Sequence, residues 1–462
     1  MKIERFEVAG LAQYSYVISS GGIAAVVDPI RDVGRYTDYA AKHGLTITHI
    51  FETHIHADFA AGSTALVAAT GAELAVSGHD EGEHYRYSMA HRRLRDGESI
   101  ELGRVRIEAL HTPGHTPEHV SFLVFDGERS ATVPVALFSG DFLFVGSLGR
   151  PDLLGEAEKV GLAHALYRSM VQRIADLPDG VELYPGHGAG SLCGAGLSER
   201  AESTLGYERA TNRLFRLNEE DFVREILASV PPMPDYYPRM KALNAEGAAV
   251  LIGIPGGTAL TTQDVTRLVS REDVTVLDVR RPESFGGAHI AGAINIGAGQ
   301  NLSLWSGWLL DAEKKILLVS ERGDDEGTRR ALIRVGLGHI EGFLEQGMPS
   351  WIDAGLPLTR TTGLGVAEVA ARPSESVVLD VRSNQEWKAG HIAGARHIML
   401  GDLPKSLSSL PRGCALITVC GSGYRSSIAA SLLQNAGFTD VSSMHGGMGA
   451  WMRAHLDVVA GE

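Results

Sequence analysis

Cysteine is scarce in this chain: three residues in 462, Cys193, Cys414 and Cys420. So few, so widely spaced, cannot form a disulfide framework, and the expected setting is the reducing cytoplasm. Basic charge is also in deficit. Lys and Arg number 42 against 56 Asp and Glu, a formal net charge of −14. Nucleic acid and anionic membrane both want a basic surface, so neither is expected as a partner. Long hydrophobic runs are missing too, and no uncharged apolar stretch is long enough to cross a bilayer. The opening "MKIERFEVAGLAQYSYVISS" lacks the basic cluster, apolar core and small-residue cleavage site of an export signal.

What is plentiful is glycine, with 55 residues; it points to many tight turns and loops. Hydrophobic content of 44% and charged content of 21% are ordinary for a globular protein. The length exceeds what one hydrophobic core supports, so several domains are expected.

Internal repetition defines two of them. "VTVLDVRRPESFGGAHIAGAINI" (274–296) recurs as "SVVLDVRSNQEWKAGHIAGARHI" (376–398), and "GMPSW" ending at Trp351 recurs as "GMGAW" ending at Trp451. Each copy alternates buried strand and helix, which predicts a parallel sheet wrapped by helices. The boundaries expected are 259–356 and 364–460. The segment 1–245 reads differently. "YSYVISSGGIAAVVDP" is a hairpin around Gly-Gly, "RVRIEALHTPGHTPEHVSFLVF" is strand, turn, strand, and "FAAGSTALVAATG" has helical composition. "YYPRMKALNAEGA" reads as the exit from this domain and "GIPGGTALTTQDV" (253–265) as a linker.

Four segments of 1–245 carry metal-ligand side chains where strands give way to Gly/Pro loops. They supply His54, His56 and Asp58; His111 and His115; Asp141; and His187. His-x-His-x-Asp is compact enough for one loop to aim two imidazoles and a carboxylate at one point.

These segments, in this order, resemble the metallo-β-lactamase superfamily over residues 1 to about 240. The resemblance implies an αββα sandwich, giving an α/β fold class for the whole chain. Two-metal hydrolases of that superfamily, such as glyoxalase II, read His-x-His-x-Asp-His, whereas this chain has Phe59 in the last position. The persulfide dioxygenase branch uses one iron, and its ligands carry over to His54, His115 and Asp141. The run "GDFLFVGSLGRPDL" (140–153) is similar to that branch as well. Two histidines and one carboxylate leave open positions on the metal, the arrangement of non-haem Fe(II) oxygenases. On this reading one Fe(II) is expected per chain. His56, Asp58 and His187 become supports of the ligands or additional ligands.

In the second repeat, "VCGSGYRSS" (419–427) puts Cys420 on a Gly-rich loop ahead of a helix. Such a loop, Gly421, Ser422, Gly423 and Tyr424, offers backbone amides to an anion, the helix dipole favours the thiolate, and Arg425 adds a cation. With "LDVR" and "GHIAGA", the motif resembles the rhodanese sulfurtransferases. The resemblance implies a sulfane sulfur carried on Cys420, with Asp380, Arg382 and His391 in the scaffold or around the site. The first repeat aligns Ser320 with Cys420 and carries Asp324, Asp325 and Glu326, so it is expected to be silent. Cys193, in "PGHGAGSLCGAG", has two readings, a sulfur relay and a small loop residue.

The expected function is iron-dependent oxidation of a low-molecular-weight thiol persulfide by O2 to sulfite. It is joined to rhodanese transfer that links sulfite to thiosulfate. Glutathione, coenzyme A and bacillithiol persulfides all remain open as substrates, and a homo-oligomer is allowed. Two alternatives stand beside it: a zinc-dependent thiolester hydrolase of glyoxalase II type, and a sulfur carrier whose metal domain is structural.

Overall fold

The computed structural model describes residues 1–373 and 375–461. They form two compact units, Met1–Ile252 with Ile333–Gly336, and Gly253–Leu332 with Leu337–Glu462.

The first unit holds two six-stranded sheets. One runs in chain order, β1 (Lys2–Val8), β2 (Gln13–Ser20), β3 (Ile23–Val27), β4 (Thr46–Phe51), β5 (Glu73–Ser77) and β6 (Arg92–Leu94). The other is ordered from β12 (Ser203–Thr204) through β11 (Glu182–Pro185), β10 (Ala136–Gly140), β9 (Val120–Asp126) and β8 (Val105–His111) to β7 (Ser99–Leu102). The hairpin expected around Gly21–Gly22 is the antiparallel β2–β3 pair. The strand-turn-strand at 105–126 is β8–β9.

Side-chain alternation builds the layers. From β9 and β10, Phe122, Val124, Ala136 and Phe138 enter the core between the sheets, against Tyr16, Val27 and Phe51. The intervening Leu123, Phe125 and Leu137 face the other way, onto Ala163 and Leu166 of the helix Lys159–Arg168 and Phe222 and Ile226 of the helix Glu219–Ser229. The helices Gly34–His43 and Ser63–Thr70 pack on the first sheet at β4 and β5, which completes the expected sandwich of sheets between helices. β8, β10 and β11 all run in one direction, since β9 is antiparallel to β8 and β10 while β11 is parallel to β10. The loops that follow them therefore leave the sheet at one end.

The second unit contains the two repeats. Their strands are β13 (Ala259–Leu260), β14 (Val274–Asp278), β15 (Ile294–Asn295), β16 (Lys315–Val319) and β17 (Ile340–Leu344), then β18 (Thr362–Leu364), β19 (Val377–Asp380), β20 (Arg396–His397), β21 (Leu416–Val419) and β22 (Val441–Met444). The sheet orders β13-β17-β16-β14-β15 and β18-β22-β21-β19-β20 are the same order repeated. Every strand pairing in both is parallel, as the strand and helix alternation predicts. The linker reading of 253–265 runs too far. β13 falls inside it, and the helix Thr262–Leu268 starts inside it behind a capping box in which Thr261 and Asp264 each accept the other's backbone N–H. A two-residue strand among Gly and Thr leaves no periodicity to read.

Candidate metal centre and sulfur-transfer loop

The loop after β4 carries His54, His56 and Asp58, the β8–β9 turn carries His115, Asp141 follows β10, and His187 follows β11. One ligand atom each from His54, His115 and Asp141 lies within 4.8 Å of the others, and all three side chains are buried. Asp141 Oδ2 is 3.5 Å from His115 Nε2 and 3.9 Å from His54 Nε2.

The surrounding hydrogen bonds select the tautomers. Thr53 Oγ1 donates to Asp28 Oδ2 at 2.9 Å, so it turns a lone pair to His54 Nδ1 at 3.0 Å. His115 Nδ1 donates to the Arg150 carbonyl at 2.9 Å. Both rings thus carry the proton on Nδ1 and present a bare Nε2 toward Asp141. Burial and the neighbouring histidines push both rings well below the usual imidazole range, which keeps those lone pairs free of protons.

His115 Nε2 and Asp141 Oδ2 are buried with no hydrogen-bond partner among the described residues. Each such orphan costs on the order of 1–3 kcal/mol when left unmet. A cation at the point they share would satisfy both, so two neutral imidazoles and a carboxylate fit a mononuclear metal.

The other sequence candidates sit around this point. His187 donates from both nitrogens, Nδ1 to Asp141 Oδ1 and Nε2 to Asp58 Oδ2, each at 2.8 Å. The two carboxylates hold it well above the usual imidazole range, and with both nitrogens engaged it braces Asp141. His56 Nε2 is 3.0 Å from Asp28 Oδ1, while its Nδ1 has no partner among the described residues; it lies outside the His54–His115–Asp141 cluster. His111 does not join: it stacks on His79 at 3.8 Å and bonds the Pro117 carbonyl. Cys193 does approach. Its thiol clusters with Asp58 and His187, and burial beside Asp58 and Asp141 pushes it well above the usual thiol range.

Phe59 is fully buried, its ring 4.4 Å from that of His56 and 6.4 Å from that of His187. Two glycines make room for the ligands. A methyl group on Gly149 would lie 1.9 Å from the Asp141 carbonyl oxygen and 3.0 Å from His115 Nδ1; one on Gly186 would lie 2.5 Å from Asp141 Oδ1.

Several supporting residues escaped the sequence reading. Asp28 ties down Thr53 and His56. His119 Nε2 accepts from the Asp141 backbone N–H at 3.1 Å. Arg150 is clamped by Asp152 and the Leu192 carbonyl. The segment read only as a domain exit is the helix Tyr237–Glu246. From it Lys241 donates to the Ile55 carbonyl, and Asn244 donates to the carbonyls of His56 and Phe59. The third histidine of "HTPGHTPEH" and the Asp-Pro closing β3 were the available signals.

In the second repeat, Cys420 follows β21 and is buried, its Sγ accepting the Gly423 N–H at 3.1 Å. The Ser426 hydroxyl lies 3.7 Å from the same sulfur. One expectation changes. Arg425 is not an unpaired cation: Nη1 and Nη2 donate to Glu386 at 2.7 and 2.6 Å. The Tyr424 hydroxyl donates to the Gly297 carbonyl of the first repeat at 2.9 Å, leaving its backbone to the loop.

An αββα sandwich with a His/His/Asp pocket, followed by two parallel-sheet repeats of which one holds a cysteine loop, defines a metal-binding domain fused to a tandem sulfurtransferase-like module. The comparisons agree. The metallo-beta-lactamase superfamily model matches residues 8–187, and the rhodanese-like domain model matches 261–354 and 366–454. The chain is 30% identical to a hydroxyacylglutathione hydrolase of Polaromonas sp. over 247 residues, 48% of this chain and 88% of that protein. It is 30% identical to the mitochondrial persulfide dioxygenase of Bos taurus over 202 residues, 44% of this chain and 70% of that protein. A crystal structure of a metallo-beta-lactamase from Staphylococcus aureus matches with a TM-score of 0.67 and 35% identity, covering 75% of this chain and 99% of that one. The chain belongs to the metallo-beta-lactamase superfamily and carries tandem rhodanese-like domains.

Proposed function

We propose that residues 1–245 oxidise a low-molecular-weight thiol persulfide with O2 at a single Fe(II) and that 364–460 transfers sulfane sulfur at Cys420. The segment 259–356 supports the latter without chemistry of its own. The observation that carries the reading is Phe59, a buried aromatic ring in the sequence position that holds a histidine in the two-metal hydrolases the motif resembles.

His54, His115 and Asp141 would hold the iron, which when bound supplies redox activation of O2 beside the persulfide sulfur. The protein's part is to keep the donors aimed. Thr53 and Arg150 hold the two imidazole protons on Nδ1, His187 and the Asp141 backbone bond to His119 fix the carboxylate, and Phe59 makes one wall dry. The balance is RSSH + O2 + H2O giving RSH, sulfite and two protons. At the second site a Cys420 persulfide passes its outer sulfur to sulfite, leaving the Cys420 thiolate and thiosulfate. Cys193, buried beside Asp58 and His187, is placed in this proposal as a relay: its thiolate would bond the outer sulfur of a thiol persulfide as the donor S–S bond breaks and the donor leaves as its thiolate.

One observation favours the zinc hydrolase reading: Asp58, His187 and Cys193 form a second cluster of ligand atoms. Metal analysis with oxygen uptake separates the two. About one iron per chain and persulfide-dependent O2 consumption, lost in His115→Ala and kept in Cys420→Ser, are expected. Two zinc ions per chain with thiolester hydrolysis and no O2 uptake would sink the proposal.

A further inference from the structure

The ion pair between Arg425 and Glu386 lies at the cysteine loop and has no counterpart at the aligned positions of the first repeat. The two repeats supply an internal control. Scaffold pairs occur in both: Arg280 Nη2 bonds Asp278 and Arg382 Nη2 bonds Asp380, each at 2.6 Å. His289 stacks on Phe285 and His391 on Trp387 in the same way, each histidine bonding the carbonyl of its ring partner. The Glu386–Arg425 pair occurs only in the second repeat. The first has Ser284, Asp325 and Ser320 where the second has Glu386, Arg425 and Cys420. Carboxylate, guanidinium and thiol are absent together.

The pair also touches the loop. A methyl group on Gly421, the residue after the nucleophile, would lie 3.3 Å from Arg425 Nη2 and 3.6 Å from Glu386 Oε1. Glu386 is anchored from behind, accepting from the Ser383 N–H at 3.0 Å and hydroxyl at 2.9 Å. The guanidinium holds its carboxyl down to about 2 against burial, so the pair is ionised at any working pH. The cradle around Cys420 therefore carries backbone amides and a cation already neutralised.

We propose that Glu386 is a specificity-determining residue for sulfur donors: by occupying both Arg425 nitrogens it lowers the loop's affinity for dianions and favours monoanionic persulfides. The inference rests on the sulfurtransferase reading of the second repeat. The step concerned is attack of the Cys420 thiolate on the outer sulfur of a donor. With thiosulfate, the Sγ–S bond forms as the S–S bond breaks, and sulfite leaves with the electron pair, the total charge of −3 being conserved. With a monoanionic thiol persulfide the same bond change expels the thiolate of the donor, the total charge of −2 being conserved.

The test compares thiosulfate with 2-hydroxyethyl persulfide as donors, using the full chain with cyanide as common acceptor. Removing one negative charge acts on each donor in proportion to the donor's own charge. Glu386→Gln is thus expected to lower KM about tenfold for thiosulfate and about threefold for the persulfide, and 0.5 M salt should compress both shifts. Glu386→Asp, which keeps the charge, should keep the wild-type ratio of KM values. Glu386→Ser, the residue tolerated at this position in the first repeat, provides the second neutral variant should the Gln variant not fold. An unchanged KM ratio in neutral variants that still turn over, or a loss of kcat shared equally by both donors, overturns the inference. If the wild-type chain moves sulfur from neither donor, the sulfurtransferase reading itself fails and the inference falls with it.

Discussion

The two repeats share a loop shape but not its chemistry. In the second, the Gly423 N–H donates to Cys420 Sγ at 3.1 Å; in the first, the Gly323 N–H donates to Ser320 Oγ at 2.9 Å. Both glycines are left-handed, with φ of 113° and 104°. The first repeat thus keeps the turn and places an oxygen where the second has a sulfur. Beyond that atom the loops diverge. Asp325 of the first repeat accepts the N–H and hydroxyl of Thr328, where Arg425 of the second reaches across to Glu386. The same turn thus surrounds different side-chain chemistry in the two repeats.

The largest break in this comparison is an exchange of the aligned residues. Cys420→Ser should reduce thiosulfate formation at least about a thousandfold, because a hydroxyl neither attacks sulfane sulfur nor holds it as a persulfide. Ser320→Cys in that background should restore nothing. Its thiol would stand in a loop where Asp325 takes the place of Arg425 and the Arg329 guanidinium is engaged by Asp324, so cyanide-releasable sulfur should remain at background. Sulfur transfer by the double variant would show that the turn suffices.

Much of this contrast was legible in the sequence. The repeat offset aligned Ser320 with Cys420, and strand and helix alternation predicted both parallel sheets. In the metal domain, the convergence of His54, His115 and Asp141 came from a motif resemblance. Their supports were hidden because each acts across a long stretch of chain. Asp28 meets His56 through β3 packing, and Asn244 clamps the His56–Phe59 backbone from a helix whose sequence shows only a polar, half-apolar run. The Glu386–Arg425 pair was invisible for the same reason: an Arg at the end of a cysteine loop reads as a free cation until a partner on another helix is seen.

A smaller effect sharpens what the repeats have in common. Asp278→Asn and Asp380→Asn each leave a buried guanidinium without its counter-charge, which costs about 3–5 kcal/mol. Hydrogen exchange resolved by peptide should show lost protection in β14 and β16 for the first variant and in β19 and β21 for the second, to similar extents. A much larger loss in the second repeat would mean that its Asp–Arg pair serves the site as well as the scaffold.

The smallest effect is a difference in acid sensitivity between the repeats. The Glu386 carboxyl is lowered from 4.5 to about 2 in the folded protein, chiefly by its hydrogen bonds to Arg425 and to Ser383. A lowered folded value means stability that is present above the unfolded value of 4.5 and is lost as pH falls from there through about 2. The side chain is 37% exposed, so solvent screens the pair and the contribution is held to about 1 kcal/mol or less. Ser284 gives the first repeat no such contribution. Between pH 5 and pH 3, the second repeat should therefore lose slightly more protection than the first in the wild-type chain, and Glu386→Gln should erase that difference. If the difference persists in Glu386→Gln, another carboxylate of the second repeat carries it, and the ion pair has no part in the acid response.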